Sequence, residues 1–172
     1  MRIHIVTIFP ELFDVPLQMG VIGRAIRAGI ASTQVHDLRI FGIGKTRSVD
    51  DSPFGGDPGM IMRPGPVANC VRSLGLPSSS PIIALTPAGK LFSQREAERL
   101  AAQPIITLIC GRYDGMDERI NSSIATEELS IGDYVLSGGE IAGLAIIDAV
   151  IRLQEDALGH SKEALEDDSH TS

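Results

Sequence analysis

The chain has 172 residues, of which 43% are hydrophobic, and a formal net charge of −7 at pH 7. This length and composition fit one domain with a substantial core, and no apolar run is long enough to indicate a membrane-spanning helix. Cys70 and Cys110 belong to no Cys-x-x-Cys or Cys/His cluster. Their placement argues against a disulfide framework and a zinc site, and predicts a cytoplasmic protein.

The charge is unevenly distributed along the chain. Residues 153–172 hold six acids against one lysine, whereas residues 24–47 hold five basic side chains and a single acid, Asp37. A basic cluster of this kind is either a solvated surface or a contact for phosphate. The charge pattern leaves both interpretations open.

The first half of the chain predicts two strands and two helices around a long loop. Apolar and β-branched residues indicate strands over 3–8 and 34–41. Apolar residues at helical spacing indicate helices over 20–31 and 66–74. The segment 42–62 is rich in Gly, Pro, Asp and Ser and is predicted to be a loop.

The second half continues the alternation of strands and helices. In chain order it predicts a strand over 82–86, a turn at 87–89, a helix over 93–102, a strand over 105–110, a strand over 132–136 and a helix over 140–153. Ser93 is a suitable N-cap, and Glu96 three residues later completes a capping box. The alternation predicts an α/β fold with a mainly parallel sheet flanked by helices.

Three glycine-bearing loops follow predicted strands, at 86–89, 111–115 and 137–140. In parallel sheets, ligands bind beyond the carboxyl ends of the strands. The segment 131–140 is the most informative, because it combines three glycines, two acids and a tyrosine in an otherwise apolar run. Glycine costs backbone entropy and buried acids cost desolvation, so this mixture predicts a bound ligand. The loops contain neither a G-x-G-x-x-G fingerprint nor a P-loop, which argues against a dinucleotide site and a nucleoside triphosphatase.

Four segments together resemble the bacterial tRNA (guanine-N1)-methyltransferases; they are 8–13, 47–60, 110–119 and 130–140. The resemblance implies a SPOUT fold with a deep C-terminal trefoil knot, an exception to the usual unthreaded topology. It implies S-adenosylmethionine as the cofactor, tRNA as the partner, and a homodimer with its active site at the subunit interface. The implied reaction is methylation of N1 of guanosine 37, the guanosine 3′ of the tRNA anticodon.

The implied reaction needs a base and a group that stabilises negative charge. N1 of guanine carries a proton at neutral pH, so that proton must be removed while charge develops on O6. By resemblance, the base matches Asp168, reaching across from the partner subunit, and the stabilising arginine matches Arg152. Asp167 is the alternative base, because the family usually has one residue fewer between the Gly-His pair at 159–160 and the Asp-Ser pair.

The resemblance also implies two sets of binding residues. For the cofactor they are Leu85, Thr86, Pro87, Gly89, Gly111, Tyr113, Asp114, Ile131, Gly132, Tyr134, Leu136, Gly138 and Gly139. For the target nucleotide they are Asp50, Gly55, Pro58 and Gly59. Asp114 stands where the family usually has glutamate, and its shorter side chain puts a direct contact with the cofactor or the base in doubt. No metal site is predicted in the protein, and Mg²⁺ is expected only together with the substrate.

The division of the chain follows from the same resemblance. We expect a SPOUT methyltransferase domain over residues 1–160 and an acidic interdomain linker over 161–172. The helical C-terminal domain with which family members grip tRNA is expected to be absent, which predicts weak affinity for tRNA. Two alternative functions are a SPOUT methyltransferase acting on another RNA and a non-catalytic nucleotide-binding or RNA-binding module.

Overall fold

The structure is a computed structural model that describes residues 1–53, 55, 58–112 and 114–159. Tyr113, Asp167 and Asp168 lie outside the described residues, as does the linker predicted over 161–172.

The described residues form seven strands, five α-helices and three 3₁₀ helices. The strands are β1 (Arg2–Thr7), β2 (Ser32–Asp37), β3 (Asp50–Asp51), β4 (Ile61–Met62), β5 (Ile82–Leu91), β6 (Ile105–Cys110) and β7 (Glu127–Ser130). The helices are α1 (Gly20–Arg27), α2 (Pro64–Ser73), α3 (Gln94–Ala101), α4 (Glu118–Ser123) and α5 (Glu140–Ile151). The 3₁₀ helices are Pro10–Phe13, Pro16–Gln18 and Leu38–Phe41.

Five of the strands form one parallel sheet in the order β2-β1-β6-β5-β7. This confirms the predicted α/β class and the parallel sheet. The other two strands, β3 and β4, pair antiparallel with each other inside the segment that was predicted to be a loop. The small β3–β4 pair therefore gives the 42–62 segment an ordered base.

Helices cover both faces of the sheet. Ile3 and Ile5 of β1 point into a core formed with α1, α3 and α5, while Val6 points into a second core formed with α2 and α4. Burial on both faces is why the central strands read as nearly continuous apolar runs. Helix α5 is apolar on most of its surface for the same reason, since Ile146, Ile147, Val150 and Ile151 are all fully buried.

The predicted strand over 132–136 is wrong. The strand lies one segment earlier, at β7, and residues 131–139 have irregular backbone. The Ser130 side chain donates to the Gly132 carbonyl at 2.9 Å and accepts from the Gly132 amide at 3.3 Å. The Ser130 hydroxyl thereby occupies the backbone groups that a continuing strand would have paired with a neighbour.

The predicted turn at 87–89 is also wrong, because β5 runs on to Leu91. Its pairing with β7 shifts register between Leu85 and Lys90, so the residues between them form a bulge. At Gly89 an added Cβ would lie 2.6 Å from the Leu129 amide nitrogen. Glycine is thus needed where β5 returns to the backbone of β7.

No helix in the described part of the chain is both long enough and apolar enough to cross a membrane.

Two histidines contact each other on neighbouring strands. His4 Nδ1 and His36 Nε2 are 2.9 Å apart, and His4 is buried. Burial lowers the pKa of both rings, and the positive charges of His36 and Arg2 lower the pKa of His4 further. The folded protein therefore holds both rings in their neutral form near neutral pH.

We expect the protein to lose stability as the pH falls below about 6.5, the ordinary histidine pKa. Below that pH the histidines of the unfolded chain bind protons, whereas the two rings of the folded protein stay neutral, so protonation favours unfolding. Above that pH the rings are neutral in both states, and the folded protein keeps its full stability. The midpoint of thermal unfolding should decline between pH 7.5 and pH 5, and the decline should be smaller in His36→Gln. An equally steep decline in His36→Gln would contradict this origin.

Candidate functional site

One pocket lies at the carboxyl edge of the sheet. Its walls come from the bulge of β5, the loop after β6 and the irregular segment after β7. Its volume is about 330 Å³, within the range of small-ligand sites. The predicted cofactor residues that line it are Leu85, Thr86, Pro87, Gly111, Asp114, Ile131, Gly132, Tyr134, Leu136, Gly138 and Gly139. The structure thus brings three separate loops of the sequence to one cavity.

Two of the predicted cofactor residues are not seen in this lining. Tyr113 lies outside the described residues. Gly89 lies against β7, where its missing side chain allows close packing of two strands. The role of Gly89 in the structure is therefore to shape β5, and its contact with a cofactor stays a prediction.

The pocket also has walls that the sequence did not single out as binding residues. They are Arg112, Gly115, Met116, Leu129, Ser130, Val135, Ser137 and Ala142. Most of them are chain neighbours of predicted residues. The glycine-bearing loops were therefore the sequence signal by which these pocket residues could have been found. Arg112 differs from the other seven residues in its chemistry, because it brings a charged side chain to the pocket wall.

A buried polar network lies behind the pocket and centres on Glu140. Glu140 is the first residue of α5 and is fully buried. Its Oε1 accepts from Thr7 Oγ1 at 2.8 Å, and its Oε2 accepts from Arg112 Nε at 2.8 Å. The Arg112 guanidinium also donates to the Ser137 carbonyl at 3.2 Å and lies 4.6 Å from the centre of the Phe9 ring. The network therefore ties the ends of β1 and β6 to the segment that precedes α5.

The two glycines before Glu140 make this close approach possible. An added Cβ at Gly138 would overlap the Arg112 guanidinium group, and one at Gly139 would lie 2.9 Å from Cys110 Cα. The segment 138–139 thus passes directly against the end of β6, which is consistent with the predicted knot. A side chain at either position would displace backbone that lines the pocket.

Cys110 ends β6 beneath this crossing and is fully buried. Burial raises the pKa of its thiol well above the ordinary value, and the negative charge of Glu140 raises it further. The thiol is therefore protonated and packs as a small apolar side chain.

The predicted nucleotide-binding residues lie in and beyond the β3–β4 pair. Asp50 belongs to β3, and its carbonyl accepts from Arg63 Nε at 2.6 Å. Gly55 and Gly59 both have positive φ angles, and the described residues 55 and 58–60 are exposed. These residues therefore form an accessible loop on an ordered base.

Arg152, the predicted charge-stabilising residue, directly follows α5 and is half-buried. Its amide donates to the Asp148 carbonyl at 3.1 Å, which caps the helix end. A helix of 12 residues is about 18 Å long, so Arg152 is separated from Gly139 by the whole length of α5. Accordingly, Arg152 is not among the described residues that line the pocket of its own chain.

Comparison with known proteins gives a consistent assignment. A family model described as tRNA (Guanine-1)-methyltransferase TrmD matches residues 1–172. A tRNA (guanine-N(1)-)-methyltransferase of Chlorobaculum tepidum is 45% identical over 168 residues, which are 97% of this chain and 73% of the relative. A protein of the same name from Heliobacterium modesticaldum is 44% identical over 173 residues, which are 97% of this chain and 64% of the relative.

A solved structure shows the same architecture. The crystal structure of tRNA (m1G37) methyltransferase from Aquifex aeolicus superposes with a TM-score of 0.84 at 35% identity, covering 93% of this chain and 72% of that one. This likeness confirms the predicted SPOUT architecture. The chain spans about two thirds to three quarters of the length of these relatives. The family model and the relatives agree, and the chain belongs to the tRNA (guanine-1)-methyltransferase family.

Proposed function

We propose that this chain transfers a methyl group from S-adenosylmethionine to N1 of guanosine 37 in tRNA. The observation that carries the proposal is the pocket, which is lined by every described residue of the predicted cofactor set except Gly89. Family membership supports the same reaction. The cytoplasm is the compartment in which we expect the protein to meet tRNA.

The pocket has the chemistry that an adenosyl group requires. Its walls include the apolar side chains of Leu85, Ile131 and Leu136, which suit the faces of an adenine ring. Residues 133–136 of the irregular segment belong to no strand, and their backbone amides and carbonyls are proposed to read the polar edge of that ring. When bound there, S-adenosylmethionine would supply an electrophilic methyl group carried on a sulfonium.

Two side chains are proposed to act on the guanine. Asp168 is the base that takes the N1 proton, with Asp167 as the alternative, and the freed lone pair on N1 becomes the nucleophile. Arg152 stabilises the negative charge that develops on O6. Mg²⁺ is proposed to enter with the RNA, held by phosphate and a carboxylate. No three His, Cys, Asp or Glu side chains of the described residues form a metal cluster.

The position of Arg152 supports a dimer with shared active sites. Because α5 separates Arg152 from Gly139 of the same chain, an arginine acting in the pocket is best supplied by a second copy. Apolar side chains stand exposed beside the pocket, with Val135 at 84% and Ile141 at 57% exposure. Large apolar side chains exposed near the pocket support an interaction surface there.

The experiment that tests the proposed function has two stages. Calorimetric titration with S-adenosylmethionine should show binding by the 172-residue chain. Methyl transfer should then occur to a tRNA transcript with guanosine 3′ of the anticodon and not to a matched transcript with adenosine there. Transfer to both transcripts, or to another RNA alone, would favour the alternative methyltransferase, and absence of cofactor binding would favour a non-catalytic module.

The domain division is a further part of the proposal. Residues 1–160 would form the methyltransferase domain and residues 161–172 an acidic linker. A fusion of this chain to the part of the Chlorobaculum relative that lies outside the matched 73% provides the comparison. Faster methylation by the fusion, with unchanged cofactor affinity, would support the division, and equal rates would contradict it.

A further inference from the structure

A cluster of four charged side chains lies beside the bulge of β5. Glu96 is the third residue of α3 and is buried, with only 5% of its surface exposed. Its Oε1 accepts from Lys90 Nζ at 2.5 Å, and its Oε2 accepts from Arg99 Nη2 at 2.8 Å. Arg99 also donates to Glu127 of β7 at 2.5 Å. We call these four residues the Glu96 cluster, and the cluster joins α3 to both β5 and β7.

Glu96 does not do what a glutamate at its helix position ordinarily does. A glutamate three residues after a serine N-cap usually turns back to the N-cap amide. The Glu96 carboxylate binds two cations instead, and its hydrogen bonds from Lys90 and Arg99 hold its pKa below the ordinary value despite its burial. A buried carboxylate that lost such partners would be strongly destabilising. The cluster therefore keeps an ionised acid at a fixed point beside β5.

The bulge next to this cluster begins and ends on one residue of the neighbouring strand. Leu85 before the bulge and Lys90 after it both pair with Leu129 of β7. Residues 86–89 therefore leave the sheet between two anchors at the same place. The first anchor, Leu85, is buried, whereas the side chain of the second, Lys90, is 68% exposed. The bond to Glu96 is what ties the Lys90 side chain to the body of the fold.

The bulge is also a wall of the cofactor pocket. Thr86 and Pro87 in its first half line the pocket. Gly89 in its second half packs directly on the backbone of Leu129. Among the described residues that line the pocket, no member of the Glu96 cluster appears. A movement of Lys90 would thus change the shape of the wall without removing a side chain that lines it.

We propose that Glu96 is a positioning residue that acts through Lys90 to hold the bulge of β5 in the shape that receives the cofactor. The inference rests on the proposed function, because it takes the occupant of the pocket to be S-adenosylmethionine. When a ligand binds only one arrangement of a wall, its apparent dissociation constant rises as the fraction of chains in that arrangement falls. Loss of an ion pair to an exposed lysine can lower that fraction about fivefold.

Calorimetric titration with S-adenosylhomocysteine compares Glu96→Gln, Lys90→Met and the double variant with the unaltered chain. Each single variant should bind about fivefold more weakly. The double variant should also bind about fivefold more weakly, because both changes break the same contact. Lys90→Arg keeps the cation and should bind within about twofold of the unaltered chain. Losses that multiply to about 25-fold in the double variant would overturn the route through Lys90.

Two further variants separate positioning from a general loss of stability. Glu98→Gln changes an exposed acid of the same helix and should leave the affinity as it is. Val67→Ala truncates a fully buried side chain in the second core, so it should lower the midpoint of thermal unfolding and keep the affinity within about twofold. In steady-state methylation, Glu96→Gln should raise KM for S-adenosylmethionine and leave kcat unchanged. An affinity loss in Val67→Ala as large as in Glu96→Gln would overturn the positioning role.

Amide hydrogen exchange tests the anchor without any ligand. The Phe92 amide donates to the Ser130 carbonyl at 2.7 Å, just after β5 has rejoined β7. Its exchange should be faster in Glu96→Gln and Lys90→Met than in the unaltered chain, and unchanged exchange in both would overturn the inference. If the unaltered chain binds no S-adenosylhomocysteine, the proposed function fails and the effect on affinity with it, whereas exchange at Phe92 still decides whether Glu96 holds the end of the bulge.

Discussion

Replacing Glu140 by alanine is expected to abolish cofactor binding and to lower the free energy of unfolding by about 3 kcal/mol. The carboxylate is fully buried and accepts hydrogen bonds from Thr7 and Arg112, whose side chain is only 19% exposed. Its removal leaves a largely buried guanidinium without its counter-charge. Arg112 would then no longer hold the Ser137 carbonyl, and the wall formed by 131–139 would lose its anchor. Denaturant unfolding and calorimetric titration measure the two effects.

Two control variants distinguish the loss of the Glu140 hydrogen-bond network from the general effect of removing an acid at the start of a helix. Glu140→Gln keeps the shape and an acceptor oxygen for Thr7, but it loses the charge and replaces the oxygen that faces Arg112 with an amide donor, so its effect should be intermediate. Glu118 is also the first residue of its helix but is exposed. Glu118→Ala should therefore change stability by less than about 0.5 kcal/mol. Normal cofactor binding by Glu140→Ala would show that the network does not support the pocket.

Replacing Asp168 by alanine is expected to lower the rate of methyl transfer by about 10²- to 10⁴-fold, the usual contribution of a general base. Cofactor affinity should not change, since the proposed base acts on the guanine. Arg152→Ala should also lower the rate and leave cofactor affinity unchanged, because the proposed role of Arg152 is to stabilise the charge on O6. Single-turnover methylation at saturating tRNA, paired with calorimetric titration, measures both quantities. A large loss in Asp167→Ala and a small one in Asp168→Ala would assign the base to Asp167.

Mixed dimers test whether the base crosses from the partner subunit. Asp168→Ala chains keep an open pocket but lack the proposed base. Thr86→Tyr chains keep the proposed base, but the larger side chain fills their pocket. In a mixture of the two inactive variants, each hybrid dimer would contain one complete site. Activity should then recover to about a quarter of the unaltered level, because half of the dimers are hybrids with one site each. No recovery would place pocket and base in the same chain.

The helix at residues 94–101 shows what local capping rules predict correctly and what they do not. Ser93 caps it as predicted, with its hydroxyl accepting from the Glu96 amide at 3.4 Å. The Glu96 carboxylate does not turn back to complete the capping box; it binds Lys90 and Arg99 instead. Local spacing was sufficient for the cap, and the Arg99 pair is also local, since Arg99 lies three residues along the same helix. The Lys90 pair depends on the fold, because β5 brings Lys90 beside the helix.

The sequence by itself determined the alternation of strands and helices, the parallel sheet, and most residues of the pocket. Periodicity and glycine-bearing loops are local signals, and the ordered set of four segments identified the family. Only the tertiary structure decided that 131–139 is an irregular wall, that Gly89 packs against β7, and that Glu140 bonds to Thr7, which lies 133 residues away. The hydrogen bond from the Met60 amide to the Asp114 carboxylate joins residues 54 positions apart and was equally hidden. Such contacts depend on which chain segments the sheet and the crossing at Gly139 bring together, and no local pattern contains that information.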